Sequence, residues 1–354
     1  LKAVQLAATF GNSEYSPADY NVYGFILSQM GNFKSMQAYA LMSLQLVDQV
    51  EISTSMRAKH LMTYNGLTRH WYEHPTKTLS SLLHGHQLGR ASGDLDVVVT
   101  SLLLYYDTAL LTGQNLEELA EFVREGQRLC QQLGQKLGDQ YFNWSIKYVD
   151  TLLSASTHFD FNFEEETEAF VSTNDSNGLC KLAILSSFHH YLCGRYEEGI
   201  AMLQKLQRFP LSLKGLQISA WLPFFQGLLA AEVLEKDPQN KAARREFKLA
   251  SQQLKQYSGF NPDNFGHRKL TLDGLELWVK GKKYEAIQVL RKANEGAIEQ
   301  EFHLDQALIS WKIARSYVQV GENDQANTWA KAAYHLFASR NHHLATQQIS
   351  QQFA

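Results

Sequence analysis

The chain has 354 residues, of which 44 % are hydrophobic, and 33 Lys and Arg against 36 Asp and Glu give a net charge of −3. This composition supports a large buried core and excludes intrinsic disorder, and the balanced charge gives no general reason to expect nucleic acid or an anionic membrane as a partner. Three cysteines cannot form a disulfide framework, and no run of about 18 apolar residues exists, so we expect a cytoplasmic protein. Because the chain begins at Leu1 and opens without a signal peptide, we also expect it to be part of a longer protein.

Turn signals recur along the chain at a nearly constant interval of about 41 residues, and a period of roughly 20–50 residues is typical of a stacked repeat array. In chain order they are Gly31-Asn32, His74-Pro75, Gly113-Gln114-Asn115, Ser154-Ala155-Ser156, Gly194-Arg195, Lys236-Asp237-Pro238, Gly281-Lys282 and Gly321-Glu322-Asn323. The segments between them are rich in helix formers and poor in Pro. The sequence therefore predicts an all-α fold: a superhelix, or α-solenoid, of about eight tetratricopeptide-like hairpins in one domain over residues 1–354.

The last hairpin shows the helical pattern most clearly. Apolar residues at spacings of three and four predict one buried face on each of its two helices. On the first helix they are Leu304, Ala307, Leu308, Trp311, Ala314, Tyr317 and Val318, and on the second Ala326, Trp329, Ala330, Ala333 and Phe337.

Small residues recur at fixed distances from the turn glycines. Seven positions before the turn are Gly24, Ser187, Gly274 and Ala314, and five positions after it are Gly199, Ala286 and Ala326, with Met36 as an exception. Two helices approach closely only where their side chains are small, so these positions are predicted to be the contacts within each hairpin.

Catalytic signatures are missing from the sequence. It contains no G-x-x-x-x-G-K-[ST], G-x-S-x-G or H-E-x-x-H string and no kinase motif, so we predict no catalytic residue, no cofactor and no metal. His189 and Cys193 share a helix face, and Cys180 is near them in sequence. A metal at this position is the weaker alternative to ordinary core packing, which is usual for free cysteines.

Charge is unevenly distributed along the chain. Residues 236–292 carry 13 Lys and Arg against 6 Asp and Glu, whereas residues 139–175 carry 8 acids and only Lys147 as a base. Solvated helix faces are one explanation of these segments. The alternative is two oppositely charged surfaces that dock a partner or a neighbouring domain.

Over residues 16–354 the order of several strings resembles a known family. These strings are Arg69-His70-Trp71, Gly93-Asp94-Leu95, Gly113-Gln114-Asn115-Leu116, Leu133-Gly134-Gln135, Phe224-Phe225-Gln226-Gly227-Leu228, Asn264-Phe265-Gly266-His267-Arg268-Lys269, Gly281-Lys282-Lys283-Tyr284-Glu285-Ala286-Ile287 and Ala330-Lys331-Ala332-Ala333-Tyr334. Together they are similar to the helical-repeat region of large multidomain signalling ATPases. In that family a protein-kinase-like domain often precedes a P-loop ATPase and the repeats, and a GAF domain with a histidine kinase, or a cyclase, often follows.

The resemblance implies that the family's catalysis resides outside this region. Two departures from the family pattern are Arg268, where Lys is expected, and Ser339-Arg340-Asn341, where Trp-Gly-Ala is expected. Both leave the adjoining output domain undetermined.

Six residues of the shared strings are candidates for partner binding: Asn264, His267, Arg268, Lys269, His70 and Trp71. The first four open a helix, where cations oppose the helix dipole, so local stability does not explain the two cations among them. We expect Arg268 and Lys269 to contact an acidic group, either in residues 160–168 or on an adjoining domain. Trp71 also fits an ordinary position in the core.

These observations favour a non-catalytic regulatory module that interacts with other domains of its own chain or with a protein partner. The alternative is a sensor that binds a small molecule in the groove of the superhelix, as in tetratricopeptide-like transcriptional activators. A groove of that kind predicts inward-facing aromatic and polar residues on neighbouring first helices, whereas a scaffold predicts a broad exposed patch. An enzyme is the third and least favoured class.

Overall fold

A computed structural model describes residues 2–172, 176–209 and 214–353, and these ranges contain helices and no strands. The first helices are α1 (Lys2–Phe10), α2 (Ser16–Gln29), α3 (Phe33–Leu46), α4 (Thr54–Thr63), α5 (Leu79–Ser92), α6 (Leu95–Leu111), α7 (Leu116–Gln132), α8 (Lys136–Leu153) and α9 (Phe163–Ser172). They are followed by α10 (Ser176–Leu192), α11 (Tyr196–Lys205), α12 (Gln217–Lys236), α13 (Lys241–Phe260), α14 (Pro262–Val279), α15 (Lys283–Glu299), α16 (His303–Gln319), α17 (Asn323–Ala338) and α18 (His343–Gln352). The predicted all-α fold is confirmed for the described residues, and none of their helices is long and apolar enough to cross a membrane.

The chain folds into two compact units whose segments alternate along the sequence. Unit 1 comprises Leu1–Leu110, Glu121–Asn143 and Lys214–Ala220, and unit 2 comprises Leu111–Ala120, Trp144–Leu213 and Trp221–Ala354. Each unit buries large aromatic residues, for example Trp71 in unit 1 and Trp311 in unit 2. The superhelix, the number of repeats and the single continuous domain stay predictions.

The predicted turns coincide with breaks between helices. Five of them place a glycine in the left-handed region, with φ between 72° and 82°, which a residue with a Cβ rarely adopts. These glycines are Gly31, Gly113, Gly194, Gly281 and Gly321. The turn at His74-Pro75 differs, because α4 and α5 are connected by a π-helical segment, Tyr64–Thr68, and two 3₁₀ segments, Arg69–Trp71 and Pro75–Thr78, the second of which begins at this turn. Apart from this irregular unit, the period of turn signals correctly predicted where helices end.

The small residues flanking the turns lie at close helix contacts, as predicted. A Cβ added to Gly274 of α14 would lie 3.2 Å from the carbonyl oxygen of Ala286 on α15. A Cβ at Gly199 of α11 would lie 3.3 Å from the carbonyl oxygen of Ser187 on α10. In the first hairpin, a Cβ at Gly24 would lie 3.2 Å from the carbonyl oxygen of Met36. Met36 therefore occupies the predicted contact position even though it is not small.

Replacement of Gly274 by Leu should lower the free energy of unfolding by about 1–3 kcal/mol, because the new side chain overpacks the α14–α15 contact. Already its Cβ would come within 2.9 Å of Leu290 Cγ. Gly266, on the same helix, is the control, since a Cβ there would meet only Pro262 Cβ, at 4.0 Å. Urea unfolding measures both variants, and an equal effect of Gly274→Leu and Gly266→Leu would contradict the assigned helix contact.

Helix α16 departs from the predicted pattern of one buried face. Its apolar residues Leu304 to Tyr317 are buried as expected, but the polar side chains of Asp305, Ser310, Lys312 and Ser316 are buried too. Val318, which was assigned to the buried stripe, is 48 % exposed. The predicted apolar stripe of α16 is therefore confirmed except at Val318, but the helix is also buried on other sides, where α14, α15 and α12 supply partners for Asp305, Ser310 and Lys312.

Candidate functional site

The four candidate residues between 264 and 269 lie in the first turns of α14. Asn261 caps this helix, since its side-chain oxygen accepts a hydrogen bond from the backbone N–H of Asn264 at 3.3 Å. Pro262 follows as the first helical residue, where its missing N–H is not needed. Asn264, His267 and Arg268 are buried, and Lys269 is partly exposed. The four residues therefore do not form one accessible surface.

Asp305 of α16 is the acidic group that Arg268 contacts. Its Oδ2 atom accepts hydrogen bonds from Arg268 Nε at 2.7 Å and from His267 Nε2 at 2.6 Å, and each of the three residues is at most 3 % exposed. Burial raises the pKa of Asp305, but Arg268 and His267 outweigh it and hold that pKa below its usual value. For His267, burial outweighs Asp305 and lowers the pKa, so a neutral imidazole donates to an ionised carboxylate at neutral pH.

Aromatic rings surround the Arg268 guanidinium. Its central carbon lies 3.6 Å from the ring centroid of Trp221, close enough for a strong cation–π contact between two buried side chains. Phe302, Phe265 and Phe224 lie at 5.2, 5.7 and 5.9 Å. The cluster of Arg268, His267 and Asp305 is thus enclosed, and contact between Arg268 and another domain would require that cluster to open.

Arg268 and Lys269 were expected to contact an acidic group in residues 160–168 or on an adjoining domain, and the structure shows other contacts for both. Lys269 pairs with Asp273, four residues along its own helix. Glu164, in the acidic segment, pairs with Lys205 at 3.2 Å and with Arg208 at 3.0 Å. Residues 173–175 at the end of the acidic segment 139–175 lie outside the described residues. The acids that Arg268 and Lys269 meet are therefore Asp305 and Asp273.

His70 and Trp71 lie in unit 1, in the 3₁₀ segment after α4, and each is 1 % exposed. Trp71 Nε1 donates a hydrogen bond to the carbonyl oxygen of Gly215 at 3.1 Å, and its ring packs on Phe33 with centroids 4.7 Å apart. Burial lowers the pKa of His70 to about 3. These contacts agree with the alternative assignment of Trp71 to the core, and the His70–Trp71 pair belongs to a different unit from the α14 residues.

A second buried cluster, not predicted from the sequence, joins α12 and α16 in unit 2. Lys312 Nζ lies 2.9 Å from Glu232 Oε1 and 2.8 Å from Glu235 Oε2, and Arg315 Nη2 lies 3.0 Å from Glu232 Oε1. Lys312 is 1 % exposed. A signal for this cluster was present, because the two acids on α12 and the two cations on α16 share the same spacing of three residues.

Arg315 also connects hairpins that are distant in sequence. Its Nη1 donates to Tyr196 Oη at 2.6 Å and its Nη2 to Tyr191 Oη at 2.9 Å, across 119 and 124 residues. In a simple repeat array each repeat contacts only its neighbours. Unit 2 therefore contains a contact between the α10–α11 and α16–α17 hairpins that the repeat pattern alone does not predict.

A cluster of exposed positive charges in unit 2 lies on α13. We call Lys241, Arg244, Arg245, Lys248 and Lys255 its basic face, and all five residues are exposed. Within the described chain Lys241, Arg245, Lys248 and Lys255 form no ion pair, and Arg244 donates to the carbonyl oxygen of Pro238. The side chains from Lys241 to Gln252 line a shallow open depression. This face is one accessible part of the positively charged segment 236–292, which also has exposed cations on α15.

The acid on α13 does not neutralise the basic face. Glu246 is 3 % exposed, and its carboxylate accepts hydrogen bonds from Gln226 and Gln207 on the opposite side of the helix. Elsewhere in segment 236–292 three lysines pair with an acid three or four residues away: Lys269 with Asp273, Lys280 with Glu276, and Lys282 with Glu285. Arg291 and Lys292 of α15 are exposed and, like the basic face, form no ion pair within the described chain. The basic face of α13 is thus available to negative charge from outside the described chain.

The cysteine and histidine pair considered as a metal site makes ordinary polar contacts. Cys193 Sγ lies 3.8 Å from His189 Nε2, and the same nitrogen lies 3.0 Å from the carbonyl oxygen of Ser156. Burial is the largest influence on Cys193 and raises its pKa, which disfavours the thiolate that binds metals. In the described ranges no group of three or more His, Cys, Asp or Glu side chains is arranged to hold a metal ion.

Comparison with known proteins adds no relative to this picture. Neither a protein-family model nor a curated protein sequence matches the chain.

Proposed function

We propose that the chain is a non-catalytic regulatory module that mediates protein interactions within a multidomain signal-transduction ATPase of the kinase or cyclase type. Its helices would form a superhelix of about eight tetratricopeptide-like hairpins with a period of about 41 residues. The observation that carries this proposal is the exposed basic face of α13, which has no acidic partner among the described residues. Its partners would be other domains of the same chain or a separate cytoplasmic protein.

The competing function is a sensor that binds a small molecule in the groove of the superhelix. It requires polar side chains on the helices that line the groove to face an open space. Lys312 and Arg315 are the lysine and arginine of α16 that could bind an anionic ligand. Lys312 is 1 % exposed and is paired with Glu232 and Glu235, while Arg315 is paired with Glu232 and two tyrosines. A ligand there would have to displace buried ion pairs, so these contacts support the interaction module over the sensor.

The proposal is tested in the complete protein that contains this region. Deletion of residues 1–354 should change its rate of ATP hydrolysis, or the response of that rate to a partner, by about fivefold or more, as is typical of a regulatory coupling. An unchanged rate and response would contradict the proposal. So would the absence of a P-loop ATPase module from the complete protein.

The chain by itself should neither bind nor hydrolyse ATP, because it lacks a glycine-rich loop that cradles phosphates and a recognisable set of Mg²⁺ ligands. Isothermal titration calorimetry with Mg²⁺ and ATP measures binding, and release of inorganic phosphate measures hydrolysis. Saturable, Mg²⁺-dependent binding would place an enzymatic site in this region. In that case the non-catalytic assignment is wrong.

A further inference from the structure

We infer that the basic face of α13 binds an acidic α-helical segment of a protein partner, an inference that rests on the proposed function and names the partner's chemistry. The face consists of Lys241, Arg244, Arg245, Lys248 and Lys255, and each of these residues is exposed. The inference depends on the spacing of these cations, on their lack of neutralisation within the fold, and on the type of residue that accompanies them.

The cations follow one line along the helix. Lys241, Arg245, Lys248 and Lys255 have the relative positions i, i+4, i+7 and i+14, and the exposed Gln252 occupies the intervening position i+11. At 1.5 Å per residue this line is about 21 Å long, or nearly four turns. A second helix with carboxylates at the same spacing, laid beside α13, would place one carboxylate near each cation. A straight charged line with helical spacing therefore matches a helical partner.

The fold itself gains little from this arrangement. Lys241 and Arg245, and likewise Arg244 and Lys248, are like-charge pairs four residues apart, which destabilise a helix by about 0.2–0.5 kcal/mol each. Lys241, Arg244 and Arg245 also lie near the N-terminus of α13, where the helix dipole disfavours positive charge. Arg268 and Lys269 also place positive charge near a helix N-terminus, that of α14, but there Asp305 stabilises Arg268. On α13 no described acid has that role, so an external carboxylate would remove the repulsion.

The neighbouring side chains distinguish an acidic helix from other polyanions. Single-stranded nucleic acid is usually held by aromatic side chains on which bases stack, and a membrane surface by large apolar side chains beside the cations. The aromatic residues of α13 do not lie among the cations: Phe247 is 8 % exposed, Tyr257 packs on Phe265 of α14, and Phe260 ends the helix five residues beyond Lys255. Leu249, 39 % exposed, is the single large apolar residue at the edge of the face. The face therefore offers charge and hydrogen bonds, which carboxylates satisfy.

The test measures binding of a synthetic helical peptide, of the same length as α13, with Glu at positions i, i+4, i+7, i+11 and i+14. The second probe is a peptide of the same composition whose Glu residues are spread around the helix. Fluorescence anisotropy with the full chain should show binding of the first peptide that is at least about tenfold tighter than that of the second, and weaker at high salt. The double variant Arg245→Glu/Lys248→Glu should lose the preference for the first peptide.

The matched control reverses two exposed cations on another helix, Arg291→Glu/Lys292→Glu on α15, and changes the net charge equally. It should bind the peptide like the unmodified chain. Circular dichroism should show the same helix content in both double variants, because the four side chains are exposed and form no described ion pair. Urea unfolding should show no loss of stability for the α13 variant, since it replaces like-charge pairs by pairs of opposite charge. A double α13 variant that unfolds would show instead that the basic face serves the fold.

Three results would overturn the inference: equal binding of both peptides, equal loss in the α15 control, or tighter α13-dependent binding of duplex DNA or of phosphatidylserine vesicles. Formation of dimers through α13 in place of peptide binding would likewise assign the face to a second copy of the chain. None of these results involves ATP hydrolysis. If the peptide fails to bind while deletion of residues 1–354 still alters ATP hydrolysis, the partner's chemistry is wrong and the regulatory role stands.

Discussion

Lowering the pH from 7 to 5 is expected to reduce the free energy of unfolding by about 6 kcal/mol, through three buried histidines that stay neutral in the folded chain. Burial lowers the pKa of His60 to about 4, of His70 to about 3 and of His342 to about 4, from an ordinary value of 6.5. Between pH 6.5 and 4 the unfolded chain therefore binds protons that the folded chain does not. Stability is then lost as the pH falls, by about 1.4 kcal/mol per pH unit for each histidine.

The contacts of two of these histidines explain why the folded chain resists protonation. Nδ1 of His60 lies 3.3 Å from the Asn21 amide nitrogen, which donates to it, and 3.1 Å from Ser43 Oγ. A proton on that nitrogen would end the hydrogen bond that Asn21 donates, and burial of the imidazole is the largest reason why its pKa is lowered. Nδ1 of His342 accepts the backbone N–H of Ala345 at the start of α18, so protonation there removes a helix cap.

Urea unfolding at a series of pH values measures this loss. Between pH 6.5 and 4, the variant His60→Gln should decrease the slope of unfolding free energy against pH by about 1.4 kcal/mol per pH unit, which is the contribution of one proton. The control His335→Gln makes the same substitution at an exposed residue of α17, and its slope is the reference for the His60 variant. Equal stability of the unmodified chain at pH 7 and pH 5 would contradict the assignment of neutral buried histidines.

Replacement of Asp305 by Ala is expected to cost about 3–5 kcal/mol of stability at pH 7, because it leaves the Arg268 charge buried without its partner. Arg268 is 1 % exposed, and water cannot replace the carboxylate without opening the packing around Trp221. The exposed pair Lys269–Asp273 is the matched control on α14, and Asp273→Ala should cost less than about 1 kcal/mol.

The double variant Arg268→Met/Asp305→Leu removes both charges but keeps side chains of similar volume, so it distinguishes the effect of the charges from the effect of packing. It should recover much of the loss, because removal of both charges leaves no uncompensated charge in the core. Chemical denaturation followed by circular dichroism measures the three variants. A loss below about 1 kcal/mol for Asp305→Ala would show that Arg268 finds another partner in the folded chain.

Much of the architecture follows from local chemistry. Gly281 and Gly321 end helices because a left-handed residue is needed there, and Gly274 marks a helix contact because the backbone of α15 lies against it. Both requirements depend on residue size and backbone freedom, which are properties of single positions. Turn period and small-residue spacing therefore predicted helix ends and hairpin contacts without any knowledge of distant parts of the chain.

The charged residues could not be placed in the same way. Arg268 and Lys269 are adjacent in sequence and chemically similar, yet Arg268 is buried against Asp305 and Lys269 is exposed beside Asp273. The difference arises from Asp305 and Trp221, which are 37 and 47 residues away and which local spacing does not bring near. Lys312 was missed for the same reason, because its partners on α12 become visible only when the helices are packed.

The hydrogen bonds of Arg315 to Tyr191 and Tyr196 bear on how this chain can change during evolution. Repeat arrays commonly gain or lose whole units by duplication or deletion, since a new unit needs to fit only its immediate neighbours. Between α11 and α16 that route is restricted, because one added or missing hairpin would carry Arg315 away from both tyrosines. The number of helices in this stretch is therefore constrained by these two hydrogen bonds, and related chains that preserve them should differ in length only outside it.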